Sequence, residues 1–189
     1  TASSGLAAAL AGAGIQRGDA VLVQLPNVSE LVLAYYALSK LGAIISPVAV
    51  QYSRHEIAGF ARTLKPAAML TLSEFRGTNL VQQAQEALPD LHILDIARDL
   101  AAGSTAPVGN WAPAPADAND IVTLCWTSGT TGTPKGVPRS HNMWTTQGRL
   151  TMTAGGYQPG ERLLAPFPFI NMAALGGFLF PSALLGCTL

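Results

Sequence analysis

Short apolar runs alternate with helical segments through the first half of this chain. Four runs have the length and apolar content of buried strands, and they occupy residues 20–23, 43–46, 67–72 and 92–95. Strands that alternate with single helices pair in parallel, and the helices cover both faces of the sheet. The sequence therefore predicts an α/β fold with parallel or mixed sheets and helices on both faces.

Capping boxes mark where two of these helices begin. Asn27 precedes Glu30 by three residues, and Ser53 precedes Glu56 by the same spacing. We expect the first helix to end at Gly42, because glycine adopts the left-handed conformation that closes a helix. We expect the second helix to run to about residue 64, and a third to lie near residues 79–88.

A stretch rich in glycine and hydroxyl groups follows another predicted strand at residues 121–126. It consists of Thr127, Ser128, Gly129, Thr130, Thr131, Gly132, Thr133, Pro134, Lys135 and Gly136. Glycines let the backbone approach a ligand closely, and successive N–H groups can form a nest for phosphate oxygens. A helix is predicted to begin at Ser140. The pattern of strand, loop and helix predicts a phosphate-binding loop, with Lys135 adding positive charge.

Three other functions could be assigned to a loop of this composition. A P-loop NTPase or kinase requires a Ser or Thr after the lysine to bind Mg²⁺, and Gly136 stands there instead. A nucleotide-binding or scaffolding module without catalysis is the second alternative, and it could describe these residues taken alone. A solvated surface loop would not need two spaced glycines or a Pro-Lys-Gly ending.

The stretch from Trp126 to Gly136 resembles the phosphate-binding signature of the adenylate-forming enzymes, the AMP-dependent synthetases and ligases. Weaker resemblances cover nearly the whole chain: Gly18-Asp19-Ala20-Val21, Leu25-Pro26-Asn27 and the helix end at residues 38–42. The resemblance implies that a small-molecule carboxylic acid reacts with ATP to give acyl-AMP and pyrophosphate. The acyl group then passes to a thiol, and coenzyme A is the expected acceptor. An aryl-acid AMP ligase or a peptide-synthetase adenylation domain is the alternative.

The resemblance also implies roles for individual residues. Residues 127–132 would hold the ATP phosphates with their hydroxyls and amides, while Thr133 and Lys135 complete the set. Mg²⁺ would accompany ATP. Residues 166–171 resemble the family segment that borders the acyl substrate, and Phe169 falls where a histidine is usual. The expected acid pocket is formed by Phe169, Ile170, Asn171 and His141, although Phe169 could equally be a core residue and His141 a first-turn packing residue.

The resemblance gives an expectation for domain organisation. Residues 1–189 correspond to part of an N-terminal domain, with a crossing between subdomains at residues 101–119. The family's later motifs, its C-terminal lid domain and its catalytic lysine do not occur in this sequence. We therefore expect no catalytic residue among these residues, no turnover by this chain alone, and self-association through its apolar end.

Composition excludes several function classes. The formal net charge is +0 and 12% of residues are charged, so there is no basic patch for nucleic acid. The uncharged segment 163–189 is interrupted by prolines and glycines, which argues against a membrane-spanning helix. Cys125 and Cys187 lie in apolar runs, so we expect buried, reduced thiols in a cytoplasmic protein rather than a disulfide or metal site. Asp117 and Asp120 are expected to be turn residues.

Overall fold

The computed structural model of this chain describes residues 1–99, 111–127 and 134–189. The chain divides into two compact units, Thr1–Ala116 and Asp117–Leu189.

The first unit contains a parallel sheet of four short strands. They are β1 (Ala20–Val23), β2 (Ile44–Pro47), β3 (Ala68–Thr71) and β4 (His92–Asp95). Their order across the sheet is β4-β3-β1-β2, and every pair is parallel. The predicted parallel α/β arrangement is thus confirmed, and each predicted strand of this unit is present within two residues of its expected bounds.

Helices lie on both faces of this sheet, as predicted. They are α1 (Ala2–Gly12), α2 (Ser29–Leu41), α3 (Arg54–Leu64) and α4 (Leu80–Ala87). Strand β2 lies on one side of β1, whereas β3 and then β4 lie on the other side, so the chain crosses the sheet in opposite directions before and after β2. Because parallel crossovers are right-handed, α2 lies on one face while α3 and α4 lie on the other. Helix α1 packs against α2, and α3 packs against α4.

One of the two predicted capping boxes forms. The Ser53 amide donates to the Glu56 carboxylate at 2.8 Å, and Ser53 Oγ accepts from the Glu56 amide at 3.4 Å. The box at Asn27 was wrong. Helix α2 starts at Ser29 with Val28 as its N-cap, because a tight turn joins the Val28 amide to the Pro26 carbonyl at 2.8 Å. Gly42 ends α2 with φ at 72°, as predicted.

The core of the first unit is built from the sheet and the inward faces of its helices. Full burial of each large aliphatic side chain contributes about 1.5–3 kcal/mol. The largest fully buried side chains of this unit are Leu6, Leu10, Leu22, Leu25, Leu31, Leu38, Ile45, Ile57, Met69, Leu70 and Leu80.

The second unit begins with an antiparallel pair, β5 (Ile121–Thr127) and β6 (Lys135–Ser140). Strand β6 corrects the predicted order of strand, loop and helix, since a second strand stands between the loop and the helix. Gly136 and Pro138 concealed it, because both residue types are depleted in strands. Helix α5 (His141–Gly155) follows, and Gly156 ends it with φ at 66°.

The end of the second unit is a helix with an irregular middle. It consists of α6 (Met172–Ala174), a π-helical segment (Leu175–Leu179) and α7 (Phe180–Leu185), and Gly186 closes it. Residues 162–165 are apolar after Arg162, which suggests a strand, but they do not form one. Arg162 forms a single parallel bridge with Thr188, and Leu164 is 87% exposed, so this run has no buried face that would sustain a strand.

The two cysteines lie in different environments. Cys125 is buried in β5, whereas Cys187 is only half-buried, which corrects the expectation that both are buried. Both thiols are free. None of the helices in the described ranges is long and apolar enough to cross a membrane.

Candidate nucleotide-binding site

The β5–β6 pair holds the two ends of the predicted phosphate loop together. Thr127, the last residue of β5, pairs directly with Lys135, the first residue of β6. Thr127 Oγ1 also donates to the Lys135 carbonyl at 3.4 Å. Directly opposed residues of an antiparallel pair share one face, so both side chains start from the same side of the hairpin. The Lys135 side chain is exposed.

Six of the eight predicted phosphate-binding residues lie outside the described part of the chain. They are Ser128, Gly129, Thr130, Thr131, Gly132 and Thr133. Thr127 and Lys135 are described, and the structure brings these two together at the base of the loop. The roles of all eight residues remain predictions.

Gly136 has a packing role that the sequence did not reveal. A Cβ atom at this position would lie 2.3 Å from Leu124 Cδ2 on the opposite strand. The Leu124 side chain therefore rests directly on the Gly136 backbone. A larger residue after Lys135 would have to displace the Leu124 side chain, whereas the sequence only showed that a metal-binding hydroxyl is missing there.

Helix α5 is fixed to the hairpin at its first turns. Ser140 is the N-cap, as predicted, and its hydroxyl accepts from the Met143 amide at 3.3 Å. Trp144 is fully buried, and its Nε1 donates to Thr123 Oγ1 at 2.9 Å. The Trp144 ring also stacks on Phe180 with ring centroids 5.2 Å apart. The hairpin below the loop is therefore rigidly supported.

His141 occupies the first position of α5 and is half-buried. Among the described residues, its side chain makes no hydrogen bond. Its predicted place in the acid pocket stays a prediction.

The predicted acid-binding segment, residues 166–171, is an irregular loop that leads into α6. Phe169 is 5% exposed and belongs to the core, while Ile170 is half-buried. Asn171 is the N-cap of α6, and its Oδ1 accepts from the Ala174 amide at 2.9 Å. This side-chain oxygen therefore already has a structural role. Whether Phe169, Ile170 and Asn171 contact an acid stays a prediction.

Two polar residues near this loop were missed by the sequence analysis. Arg139 of β6 donates from Nη2 to Met172 Sδ at 3.2 Å. Gln147 of α5 lies over Gly176 of the π-helical segment, where an added Cβ would be 2.3 Å from Gln147 Nε2. Lys135, Val137 and Arg139 are two positions apart, as residues on one face of a strand are. This spacing could have placed Arg139 on the same face as Lys135 from the sequence alone.

Burial raises the pKa of the Cys125 thiol. A hydrogen bond with Thr123 and the positive charge of Arg139 act in the opposite direction and are smaller effects. Cys125 is consequently an inert, protonated core thiol at neutral pH.

The acidic residues before the hairpin form a turn, as predicted. The Asp120 carboxylate accepts from the Asp117 amide at 3.1 Å, and the Asp117 carboxylate accepts from the Asn119 amide at 2.7 Å. Over residues 1–99, 111–127 and 134–189, no group of three His, Cys, Asp or Glu side chains could hold a metal ion.

Comparison with known proteins gives a family match over the whole chain. A family model described as AMP-binding enzyme matches residues 1–189. Enterobactin synthase component E from Escherichia coli K12 is 28% identical over 184 residues, which are 92% of this chain and 34% of that protein. A crotonobetaine/carnitine–CoA ligase from Escherichia coli is 30% identical over 138 residues, which are 68% of this chain and 27% of the ligase.

Solved structures agree on the fold. An o-succinylbenzoate CoA synthetase from Bacillus subtilis, in complex with the acyl-adenylate intermediate OSB-AMP, superposes with a TM-score of 0.82 at 25% identity. The match covers 99% of this chain and 46% of the synthetase. The chain spans about a third of the length of the two curated relatives, the enterobactin synthase component and the CoA ligase. Because the family model matches all of its residues, the chain belongs to the AMP-binding, adenylate-forming enzymes.

Proposed function

We propose that the protein carrying this chain activates a small carboxylic acid with ATP, giving acyl-AMP and pyrophosphate, and then transfers the acyl group to a thiol. The observation that carries the proposal is the paired base of the glycine-rich loop. Thr127 and Lys135 lie opposite each other, so the loop between them begins and ends at one place on a rigid hairpin. This arrangement suits a loop that must wrap around a phosphate chain.

Formation of acyl-AMP depends on positioning and charge stabilisation more than on proton transfer. A carboxylate is already a nucleophile, so no general base is needed to attack the α-phosphate. The catalytic gain comes from holding the carboxylate in line and from stabilising the charge that develops on pyrophosphate. In the proposal, the amides and hydroxyls of residues 127–133 hold the phosphates, and the Lys135 ammonium adds a positive charge beside them. Mg²⁺ is proposed as the companion of ATP, with no ligand assigned among the described residues.

Similarity to the relatives supports two candidate thiol acceptors. Similarity to a CoA ligase supports coenzyme A, which is the acceptor that we propose. Similarity to enterobactin synthase component E supports the second candidate, an acid-activating component of a multi-enzyme synthase that loads a carrier-bound thiol. Acyl-CoA formation with purified coenzyme A, compared with acylation of a phosphopantetheinyl carrier protein, separates the two candidates.

Acid-dependent exchange of labelled pyrophosphate into ATP tests the first half-reaction. In the full-length protein, we expect K135A to lower the exchange rate by at least about tenfold, because a charge-assisted hydrogen bond contributes roughly 1.5–3 kcal/mol. The matched control is R149Q, since Arg149 is exposed on α5 and its substitution also removes one positive charge from this unit. Exchange in K135A equal to that in R149Q would contradict the assignment.

A further inference from the structure

Arg139 lies on the same face of the hairpin as Lys135. The two residues are four positions apart in β6. Arg139 pairs with Thr123 of β5, and Lys135 pairs with Thr127. Side chains alternate along a strand, so residues four apart point to the same side, with about 3.4 Å of rise per residue between them. The hairpin face therefore carries one positive charge at the phosphate loop and a second one farther along.

One edge of the Arg139 guanidinium lacks a strong hydrogen-bond acceptor among the described residues. Its Nη2 donates to Met172 Sδ at 3.2 Å, and its Nε is buried without a hydrogen-bond partner among the described residues. A thioether sulfur is a weak acceptor. The Nε and Nη2 donors form one fork, and such a fork matches the two oxygens of a carboxylate. The Met172 thioether now occupies the Nη2 end of this fork.

No carboxylate of the same unit is placed to pair with Arg139 in the described residues. The unit contains three acidic residues, Asp117, Asp120 and Glu161. Each accepts from a backbone amide of its own turn: Asn119 for Asp117, Asp117 for Asp120 and Gln158 for Glu161. A half-buried guanidinium without a counter-charge is costly, and an anionic ligand would remove that cost.

The position of Met172 connects this fork to the expected acid pocket. Met172 is the first residue of α6 and directly follows the loop that contains Phe169 and Asn171. Methionine has three rotatable bonds and adapts readily to a changed environment. Its side chain can therefore turn away from Arg139 without moving the backbone of α6.

We propose that the Nε–Nη2 edge of Arg139 binds a carboxylate of the acid substrate, with the Met172 side chain turning aside to admit it. This inference rests on the proposed function. The carboxylate is either the reacting one or a second one carried by the same acid, and the two cases differ in which acids depend on Arg139.

The test measures KM for the acid and for ATP separately in the full-length protein, by acid-dependent ATP–pyrophosphate exchange. The acids are matched pairs, hexanoate with adipate and benzoate with terephthalate, within a wider panel of mono- and dicarboxylic acids. In R139M, we expect the acid KM to rise by at least about tenfold while the ATP KM stays within about twofold. R139K keeps the charge without the fork, so it should recover part of the loss.

The acid pairs locate the bound carboxylate. A rise for mono- and dicarboxylic acids alike assigns Arg139 to the reacting carboxylate, and a rise for dicarboxylic acids alone assigns it to the second one. M172L keeps the fork and removes only the sulfur contact, so its acid KM should rise less than that of R139M.

Three results would overturn the inference. They are an unchanged acid KM in R139M, an equal rise of the acid and ATP KM values, and an M172L defect as large as that of R139M. Absence of exchange in the wild-type protein with every acid would contradict the proposed function itself, and this inference with it.

Discussion

The indole Nε1 of Trp144 donates a 2.9 Å hydrogen bond to the hydroxyl of Thr123, and both residues are completely buried. This bond ties the first turns of α5 to the strand that leads into the predicted phosphate loop. Buried polar groups of this kind are valuable only while both partners are present, because an unpaired partner keeps its full desolvation cost.

We expect W144F to lower the free energy of unfolding by about 1 kcal/mol beyond the loss of packing, since the Thr123 hydroxyl would lose the Trp144 donor and keep only its bond with Cys125. Urea denaturation of the variant measures this change. The double variant W144F/T123V removes both partners, so it should be less destabilised than the sum of the single variants. Additive effects would show that the hydrogen bond contributes nothing.

G136A tests the close packing between the strands of the hairpin. The new Cβ would meet Leu124 Cδ2 at 2.3 Å, and overpacking of this kind costs about 1–3 kcal/mol. L124A should relieve the clash, so L124A/G136A should be more stable than the single effects predict. Thermal unfolding of the four proteins measures this coupling. A G136A protein as stable as wild type would refute the packing argument.

The capping box at α3 should make stability depend on acid pH. Hydrogen bonds from the Ser53 amide and hydroxyl lower the pKa of Glu56 below its ordinary value of 4.5. A group with a lowered folded-state pKa stabilises the fold above its unfolded pKa, and this stabilisation is lost as pH falls through the folded value.

S53A should therefore cost about 1 kcal/mol near neutral pH, and less once Glu56 is protonated. Urea denaturation at neutral pH and below pH 4 compares S53A with wild type. N79A serves as the control, because Asn79 caps α4 through the Gln82 amide and the first turn of that helix contains no acidic residue. An S53A effect that is the same at both pH values would contradict the role given to Glu56.

Much of the first unit could be predicted from the sequence because its signals are local. Ser53 and Glu56 carry a capping pattern, Gly42 carries a helix stop, and the β1 run is apolar along its whole length. At Asn27 the same kind of pattern gave a wrong prediction, because the turn after Pro26 delays the start of the helix by one residue.

The candidate site was harder to predict because its features depend on contacts between distant residues. Strand β6 contains Gly136 and Pro138 and looked like a continuation of the loop, yet its pairing with β5 holds it in place. The fit of Leu124 over Gly136 and the approach of Met172 to Arg139 appear only after folding. Local patterns could identify the loop composition but not these partners.

The central claim is that a carboxylate oxygen of the acid attacks the α-phosphate of ATP. Its most direct test uses an acid whose carboxylate oxygens are labelled with ¹⁸O, the full-length protein, ATP and a thiol acceptor, with mass spectrometry of the released nucleotide. Attack on the α-phosphate forms a carboxylate–phosphorus bond and expels pyrophosphate, and thiol attack then breaks the acyl carbon–oxygen bond. We predict AMP that carries one labelled oxygen, together with unlabelled pyrophosphate. Release of ADP, or label in inorganic phosphate, would contradict the account.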